Sequence, residues 1–328
     1  MSKNLIKKTS WTGGFLLIMY FFSFGSEIFA ADYPKSPITM VIQMAAGGTS
    51  DIVARTLGER VSQDLGQPII PINKVGGGGT IGVNEMIRSK PDGYTFGCIS
   101  LPTVAVIPHI RNLPYNPLKD ISHICCLLPY DMGLVTRADA PWKSFEDLVE
   151  YSKKNPGKIS YGSPGPGTIN HLQGSVLTKN YNLEWKHVPF KGMSEGTTAL
   201  LGGHIDVEIT PPAEVVQHIK TGKLRLLIAT TKYRWLDFPD VPTILEKGQK
   251  IALTSYLSLG APAGTPEPIR QKLEGSFKKW LHDDNIKKDF EKRFSTRLIY
   301  VSGEEYGKFV AEQFSFYGNL LKSLGMTK

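Results

Sequence analysis

Cysteine, clustered charge and nucleotide-binding signatures are all scarce in this sequence, and each scarcity removes a class of function. Three cysteines in 328 residues are too few for a disulfide-built scaffold. Cys125 and Cys126 are adjacent and pair poorly with each other. Both lie, like Cys98, in apolar runs that read as buried strands, so the thiols are expected to act as small buried hydrophobes. The alternative is a disulfide from Cys98 to one of the adjacent pair. The seven histidines are dispersed and no Cys/His spacing suggests zinc, so no metal site is expected. No basic stripe with interleaved aromatics is visible, and nucleic acid is not an expected partner. A Walker Gly-Lys-Ser/Thr is absent, and the 33 glycines have no three-residue period.

What is present is a globular composition: 41% hydrophobic, 10% aromatic and 21% charged residues. The length favours two domains, each able to bury its own core. Lys3, Lys7 and Lys8 precede the apolar run Phe15 to Phe24 and the small-residue stretch ending Ala30-Ala31. That order reads as a secretory signal peptide over residues 1–30, cut after Ala30. Ten apolar residues are too few for a membrane span, which needs about 20. Without residues 1–30 the chain keeps 35 basic and 29 acidic residues, a formal +6 instead of +8, spread in singles and pairs. Dispersed charge of this kind is a solvated surface.

From Pro37 onward short β-type runs alternate with helical patterns, which favours an α/β fold with mixed, mostly parallel sheets. The pattern restarts after Asp131. Two lobes are expected, one formed by residues 31–130 and 253–328 and the other by 131–252, joined by two strands.

One arrangement recurs four times: strand, glycine-rich loop, helix. The loops are Ala45-Ala46-Gly47-Gly48-Thr49-Ser50-Asp51, Gly76-Gly77-Gly78-Gly79-Thr80-Ile81-Gly82, Gly162-Ser163-Pro164-Gly165-Pro166-Gly167-Thr168 and Lys191-Gly192-Met193-Ser194-Glu195-Gly196. Such loops emerge at the carboxyl ends of parallel strands, where open α/β folds bind ligands. Glycine lets the backbone approach a ligand, and the following helix presents unpaired N–H groups and a positive dipole end. Together these suit an anion. The plainer reading is that the glycines serve tight turns and the hydroxyls cap helices; four loops, two per lobe, weigh against that reading alone. Gly77 to Gly82 matches G-x-G-x-x-G in letters, but no acidic residue ends the next strand to hold a ribose. Ser163, His171 and Asp206 can be assembled on paper as a triad, though random Ser, His and Asp in such a chain often allow that. No cofactor is expected.

Several ordered motifs resemble one family. Pro34-x-x-Pro37-Ile38 leading to Ala45-Ala46-Gly47-Gly48-x-x-Asp51-x-x-Ala54-Arg55 is similar to the opening of the tripartite tricarboxylate transporter receptors, the Bug-type extracytoplasmic solute-binding proteins. Leu65-Gly66-Gln67-Pro68, Pro91-Asp92-Gly93-Tyr94-Thr95, Val188-Pro189-Phe190-Lys191-Gly192, Leu201-Gly202-Gly203-His204-Ile205-Asp206 and Ala261-Pro262-Ala263-Gly264-Thr265-Pro266 continue the resemblance over essentially the whole chain after residue 30.

The resemblance implies a two-lobed Venus-flytrap fold of the periplasmic-binding-protein type, type II-like. It also implies a monomeric periplasmic receptor that passes a small carboxylated solute to the membrane subunits of a tripartite carrier. In the family, backbone N–H groups and hydroxyls of the first two loops hold the solute carboxylate. That assigns Ala46, Gly48, Thr49 and Asp51 in the first loop and Gly79, Thr80 and Ile81 in the second. Ser163, Thr168, Lys191, Gly192 and Asp206 are the candidates from the second lobe. Asp51 would repel an anion, so a capping or water-holding role is favoured for it. One departure stands out: Gln43-Met44-Ala45 occupies places where the family usually has Pro-Phe-Pro. Two other readings are a periplasmic enzyme acting on an anionic small molecule and a ligand-dependent signalling adaptor.

Overall fold

The computed structural model describes residues 33–328; the expected export signal and its cut after Ala30 lie outside the described residues. Two mixed sheets organise the chain. Strands β1 (Ile38–Ile42), β2 (Ile69–Asn73), β3 (Thr95–Ser100), β4 (Ile121–Tyr130), β10 (Ser255–Pro262) and β11 (Val301–Ser302) form the first, in the order β11-β4-β10-β3-β1-β2. Strands β5 (Gly133–Arg137), β6 (Ser160–Ser163), β7 (Lys186–Pro189), β8 (Val207–Thr210) and β9 (Leu224–Ala229) form the second, in the order β7-β6-β8-β5-β9. β1 runs parallel to β2 and β3, and β6 runs parallel to β7 and β8. Antiparallel strands complete each sheet: β10 lies between β3 and β4, and β5 between β8 and β9. The chain crosses between sheets at Asp131–Met132 and again within 230–254.

Helices follow the parallel strands. α1 (Thr49–Leu65) and α2 (Thr80–Ile87) come after β1 and β2, and α3 (Leu101–Ala105) and α4 (Ile107–Ile110) after β3. In the second lobe α5 (Phe145–Lys154) precedes β6, and α6 (Ile169–Tyr181), α7 (Met193–Leu201) and α8 (Pro212–Lys220) follow β6, β7 and β8. The chain ends with α9 (Glu267–Leu281), α10 (Asp284–Phe294) and α11 (Gly303–Ser323) back on the first lobe. Local chemistry sets their limits. α1 stops at Gly66, which adopts the left-handed φ of 67° that a C-terminal glycine tolerates. α5 starts in a capping box, with the Ser144 hydroxyl accepting from Asp147 N at 3.1 Å and the Asp147 carboxylate accepting from Ser144 N at 3.0 Å.

The central strands β1, β3, β4 and β10 are largely apolar and mostly buried. Cys98, Cys125 and Cys126 lie among them as unpaired thiols, so the disulfide alternative is not realised. Burial pushes the Cys98 and Cys126 thiols up to about 12, which leaves them unreactive at neutral pH. Among the described residues no helix is long and apolar enough to cross a membrane.

The crossing segments are tied together by one buried side chain. Gln173 of α6 donates to Leu253 O at 2.6 Å and accepts from the Thr230 hydroxyl at 2.8 Å, and Thr230 N donates to Met132 O at 2.8 Å. Both strands that join the lobes are thus held to one helix, close to where a hinge would bend.

Candidate functional site

Strand ends from the two sheets face each other across a cavity of about 60 Å³. By the measure in which one buried water needs roughly 10–15 Å³, the lobes lie closed over a space for a few waters. The first lobe lines it with Met44, Ala45 and Gly48–Ser50 before and in α1, Ser100 and Pro102 at the β3–α3 junction, and Tyr130 ending β4. Across from these stand Pro164 and Thr168–Asn170 at the β6–α6 junction, Gly192 and Met193 at β7–α7, and Pro211 and Glu214 at β8–α8.

The N-terminus of α1 opens onto this space. Its N-cap is Gly48, which has no side chain to satisfy the first-turn N–H groups. Thr49 N and the Thr49 hydroxyl donate to Glu214 Oε1 of the opposite lobe at 2.7 and 3.1 Å. Beside them the Ser50 hydroxyl and the Tyr130 phenol share a 2.6 Å hydrogen bond.

Asp51 does not face the cavity. Its carboxylate accepts from Gly47 N at 3.0 Å, Arg55 Nε at 2.9 Å and Asn73 Nδ2 at 2.9 Å, and so holds the glycine loop to α1 and β2. Burial alone would raise this carboxyl, but the bonds from Arg55, Gly47 and Asn73 outweigh it and keep the group below its ordinary range. Asp51→Ala is therefore expected to lower stability by about 2 kcal/mol, since three partners lose a charged acceptor. Urea unfolding reads this directly, and an unchanged midpoint would show that the loop needs no such tether.

The unusual Gln43 has a structural role. Fully buried just after β1, its amide holds the end of that strand to β3 when the nitrogen is oriented to donate to Cys98 O at 2.7 Å and the oxygen to accept from Ser100 N at 3.2 Å. It thereby anchors the β3 end that carries Ser100 and Pro102 into the cavity.

The structure brings four of the twelve sequence-assigned residues to the cavity wall: Gly48, Thr49, Thr168 and Gly192. Ala46 is exposed and does not line the cavity. Gly79, Thr80 and Ile81 lie outside the cavity as the lobes stand. Their loop has four consecutive positive φ angles, from 61° to 130°, at Gly76–Gly79, which only glycine adopts readily. Arg111 clamps it by donating to Gly77 O and to the Thr80 hydroxyl, and Gly78 packs against Thr168 and Pro166 of the other lobe. The second glycine loop thus forms a lobe-to-lobe contact beside the cavity.

In the second lobe, Lys191 is exposed and its backbone N donates to Glu195 at 3.2 Å. Asp206 accepts from Ser160 N and the Ser160 hydroxyl at 2.8 and 2.7 Å, pinning β6. Ser163 is buried and its hydroxyl meets His187 Nε2 at 2.6 Å, whereas His171 Nδ1 accepts from Gly167 N at 3.3 Å. The paper triad is therefore not assembled: Ser163 pairs with a different histidine, and Asp206 is engaged with Ser160.

Sequence reasoning missed Ser100, Pro102, Tyr130, Asn170, Met193 and above all Glu214. Burial pushes the Glu214 carboxyl up to about 7 against the opposing pull of the two Thr49 bonds. Nearby Glu208 on β8 accepts from the Thr197 hydroxyl at 2.9 Å, its other oxygen is buried without a partner, and desolvation raises it well above the usual carboxylate range. The junction that carries Glu214 was legible in the sequence, though the role of the residue was not. Glu214 stands in the first turn after a buried strand and two prolines, a strand-to-helix junction like the others but without glycine.

Comparison with known proteins agrees with the fold. The family described as "Tripartite tricarboxylate transporter family receptor" matches residues 53–326. A protein encoded in the gbd 5' region of Cupriavidus necator is 38% identical over 299 residues, which cover 91% of this chain and 90% of that one. The solved periplasmic binding protein BugD superposes with a TM-score of 0.85 at 31% identity, covering 90% of this chain and 100% of BugD. An R. palustris protein solved with adipate gives a TM-score of 0.86 at 25% identity, covering 90% of this chain and 99% of that one.

Proposed function

Because the chain belongs to the tripartite tricarboxylate transporter receptor family, we propose that it captures a small carboxylate-bearing solute between its lobes in the periplasm and passes it to the membrane subunits of such a carrier. The protein is a solute-binding receptor with the two-lobed periplasmic-binding-protein fold. The observation that carries the finer reading is the N-terminus of α1. A 17-residue helix there opens onto the interlobe cavity, with a glycine N-cap and the hydroxyls of Thr49 and Ser50 beside it. Its first-turn N–H groups, which have no partner within the helix, and its dipole favour a negative oxygen, the place that Glu214 Oε1 takes at Thr49. The solute carboxylate docks at Gly48, Thr49 and Ser50, and its far end meets Thr168, Asn170, Gly192 and Met193 as the lobes close.

Adipate in the R. palustris relative supports a dicarboxylate as the starting candidate. Closure favours the shut form only by the solute's extra affinity for it, so lobe-2 contacts are where solutes are told apart. The receptor acts as a single chain, bound by its solute without chemical change; the pairing of Ser163 with His187 and of Asp206 with Ser160, in place of a Ser163-His171-Asp206 triad, supports this reading. Export with loss of residues 1–30 would place it where such carriers collect their solutes.

A thermal-shift screen of carboxylates tests this reading. A solute at 100 times its dissociation constant adds about 2.7 kcal/mol of stability, which is expected to raise the melting temperature by about 5 °C. A neutral sugar that stabilises the protein while no carboxylate does so would overturn it.

A further inference from the structure

Glu214 belongs to the second lobe, yet its carboxyl lies on the first lobe's helix. Oε1 takes both Thr49 donors, at 2.7 and 3.1 Å, and a Cβ at position 48 would stand only 3.1 Å from the same oxygen. The acid is therefore pressed against the glycine loop and the first turn of α1 together. It retains some accessible surface because it borders the cavity, but protein encloses the carboxyl. Among the described residues no ion pair compensates it. Nothing in the packing of α8 demands an acid at this place, since Val215 and Val216 supply the helix's buried face.

We propose that Glu214 is a resident competitor for the carboxylate seat on α1, a specificity-determining residue that rejects solutes offering a carboxylate and nothing more. The inference rests on the reading of that helix end as the solute's docking point. Two carboxylates cannot share the same N–H and hydroxyl donors, because like charges at that distance disfavour each other. A solute carboxylate arriving at Thr49 therefore exchanges one carboxyl for another at the same donors. Tethering to the closing lobe gives Glu214 an effective concentration in the mM range or above, which a dilute monocarboxylate does not match. A solute with a second polar group gains contacts to the other lobe that Glu214 does not replace. Discrimination between one-ended and two-ended carboxylates follows from this single side chain.

Acetate is the probe, because it carries a carboxylate and no second polar end. The measurement is its titration into the wild-type protein and into Glu214→Ala, followed at the Thr49 backbone amide by NMR near neutral pH. With the seat vacant in about 10% of wild-type molecules or fewer, the variant is expected to bind acetate at least about ten-fold more tightly at Thr49. Glu214→Gln keeps the side-chain volume and provides the same comparison if the alanine variant's spectrum departs from wild type beyond α1 and α8. Equal affinity in wild type and variant would overturn the competition while leaving the docking point intact. An amide that responds in neither protein would show that α1 does not seat a carboxylate, and both ideas would fall.

Discussion

Gly192→Val should weaken solute binding by about 5- to 150-fold while both lobes stay folded. Gly192 has φ −167° and ψ 171°, an extended conformation that valine adopts without strain. Its position across the cleft makes it sensitive. A Cβ built there would stand 2.8 Å from the Ala45 Cβ of the first lobe, with the Ala45 backbone N at 3.5 Å. The clash therefore arises when the lobes shut, since the three nearest atoms to that Cβ all belong to Ala45 of the other lobe. Overpacking of this kind costs about 1–3 kcal/mol, and each 1.4 kcal/mol is ten-fold in affinity. Calorimetric titration with the solute that gives the largest thermal shift measures the loss. Faster dissociation should account for most of it, since the seat on α1 is untouched. Undiminished affinity would mean that binding does not require this contact between lobes.

Closure of the protein without added solute should depend on pH, through Glu214. An ordinary glutamate titrates near 4.5, and in the closed cleft burial pushes Glu214 up to about 7. When the lobes part, water reaches the carboxyl and its value returns toward the ordinary one. The closed form then binds the proton more tightly than the open form. Its advantage is complete below about 4.5 and is lost as pH rises through about 7. A difference of this size moves the closure equilibrium by about two orders of magnitude between pH 5 and pH 8.

The titratable groups coupled to Glu214 are Glu208 of β8 and Tyr130 of β4. Desolvation raises both well above their ordinary values; the Tyr130 phenol therefore stays neutral across this range, and the Glu214→Gln comparison subtracts whatever Glu208 contributes. His171 and His187 in the second lobe are both lowered by burial, His187 to about 4, and could add their own response at the acid end. Small-angle scattering of wild type and Glu214→Gln at the two pH values separates the contributions. Wild type should open toward pH 8 while the variant stays nearly constant; an identical response in both would remove Glu214 as the cause.

Glycine explains both what was legible in the sequence and what was not. The loops at Gly48, Gly165–Gly167 and Gly192 announce strand-to-helix junctions, and those junctions do reach the cavity. Gly76–Gly79 looks the same in the sequence but answers to a different demand. Four left-handed φ values are needed there, and a Cβ on Gly79 would come within 2.9 Å of Gln43 and Thr103. Glycine at these positions reports crowding and backbone geometry, and no letter pattern separates that from approach to a ligand. Glu214 was hidden for the opposite reason. An acid in the first turn of a helix ordinarily offsets its own helix's dipole, so it draws no notice. Its role depends on a helix 165 residues away in the chain, whose first turn it reaches. Ser100 and Pro102 were invisible because α3 has only five residues, too short for a periodic signal.

The place of β10 in the first sheet bears on how the molecule comes into being. This strand lies between β3 and β4, with Leu257 opposite Ser100 on one side and Leu128 on the other. Residues 133–229 supply every strand of the second sheet in one uninterrupted stretch. That sheet can therefore assemble as soon as its own segment is available. The first sheet has a gap at its middle until residue 255 and those beyond it arrive. Strand pairings of such long sequence separation carry a large loop-closure entropy and form slowly. The lobe that carries α1 is thus expected to be the later of the two to mature. Until then the exposed edges of β3 and β4 offer unpaired backbone to other chains, the interval in which a partly folded receptor is most prone to aggregate.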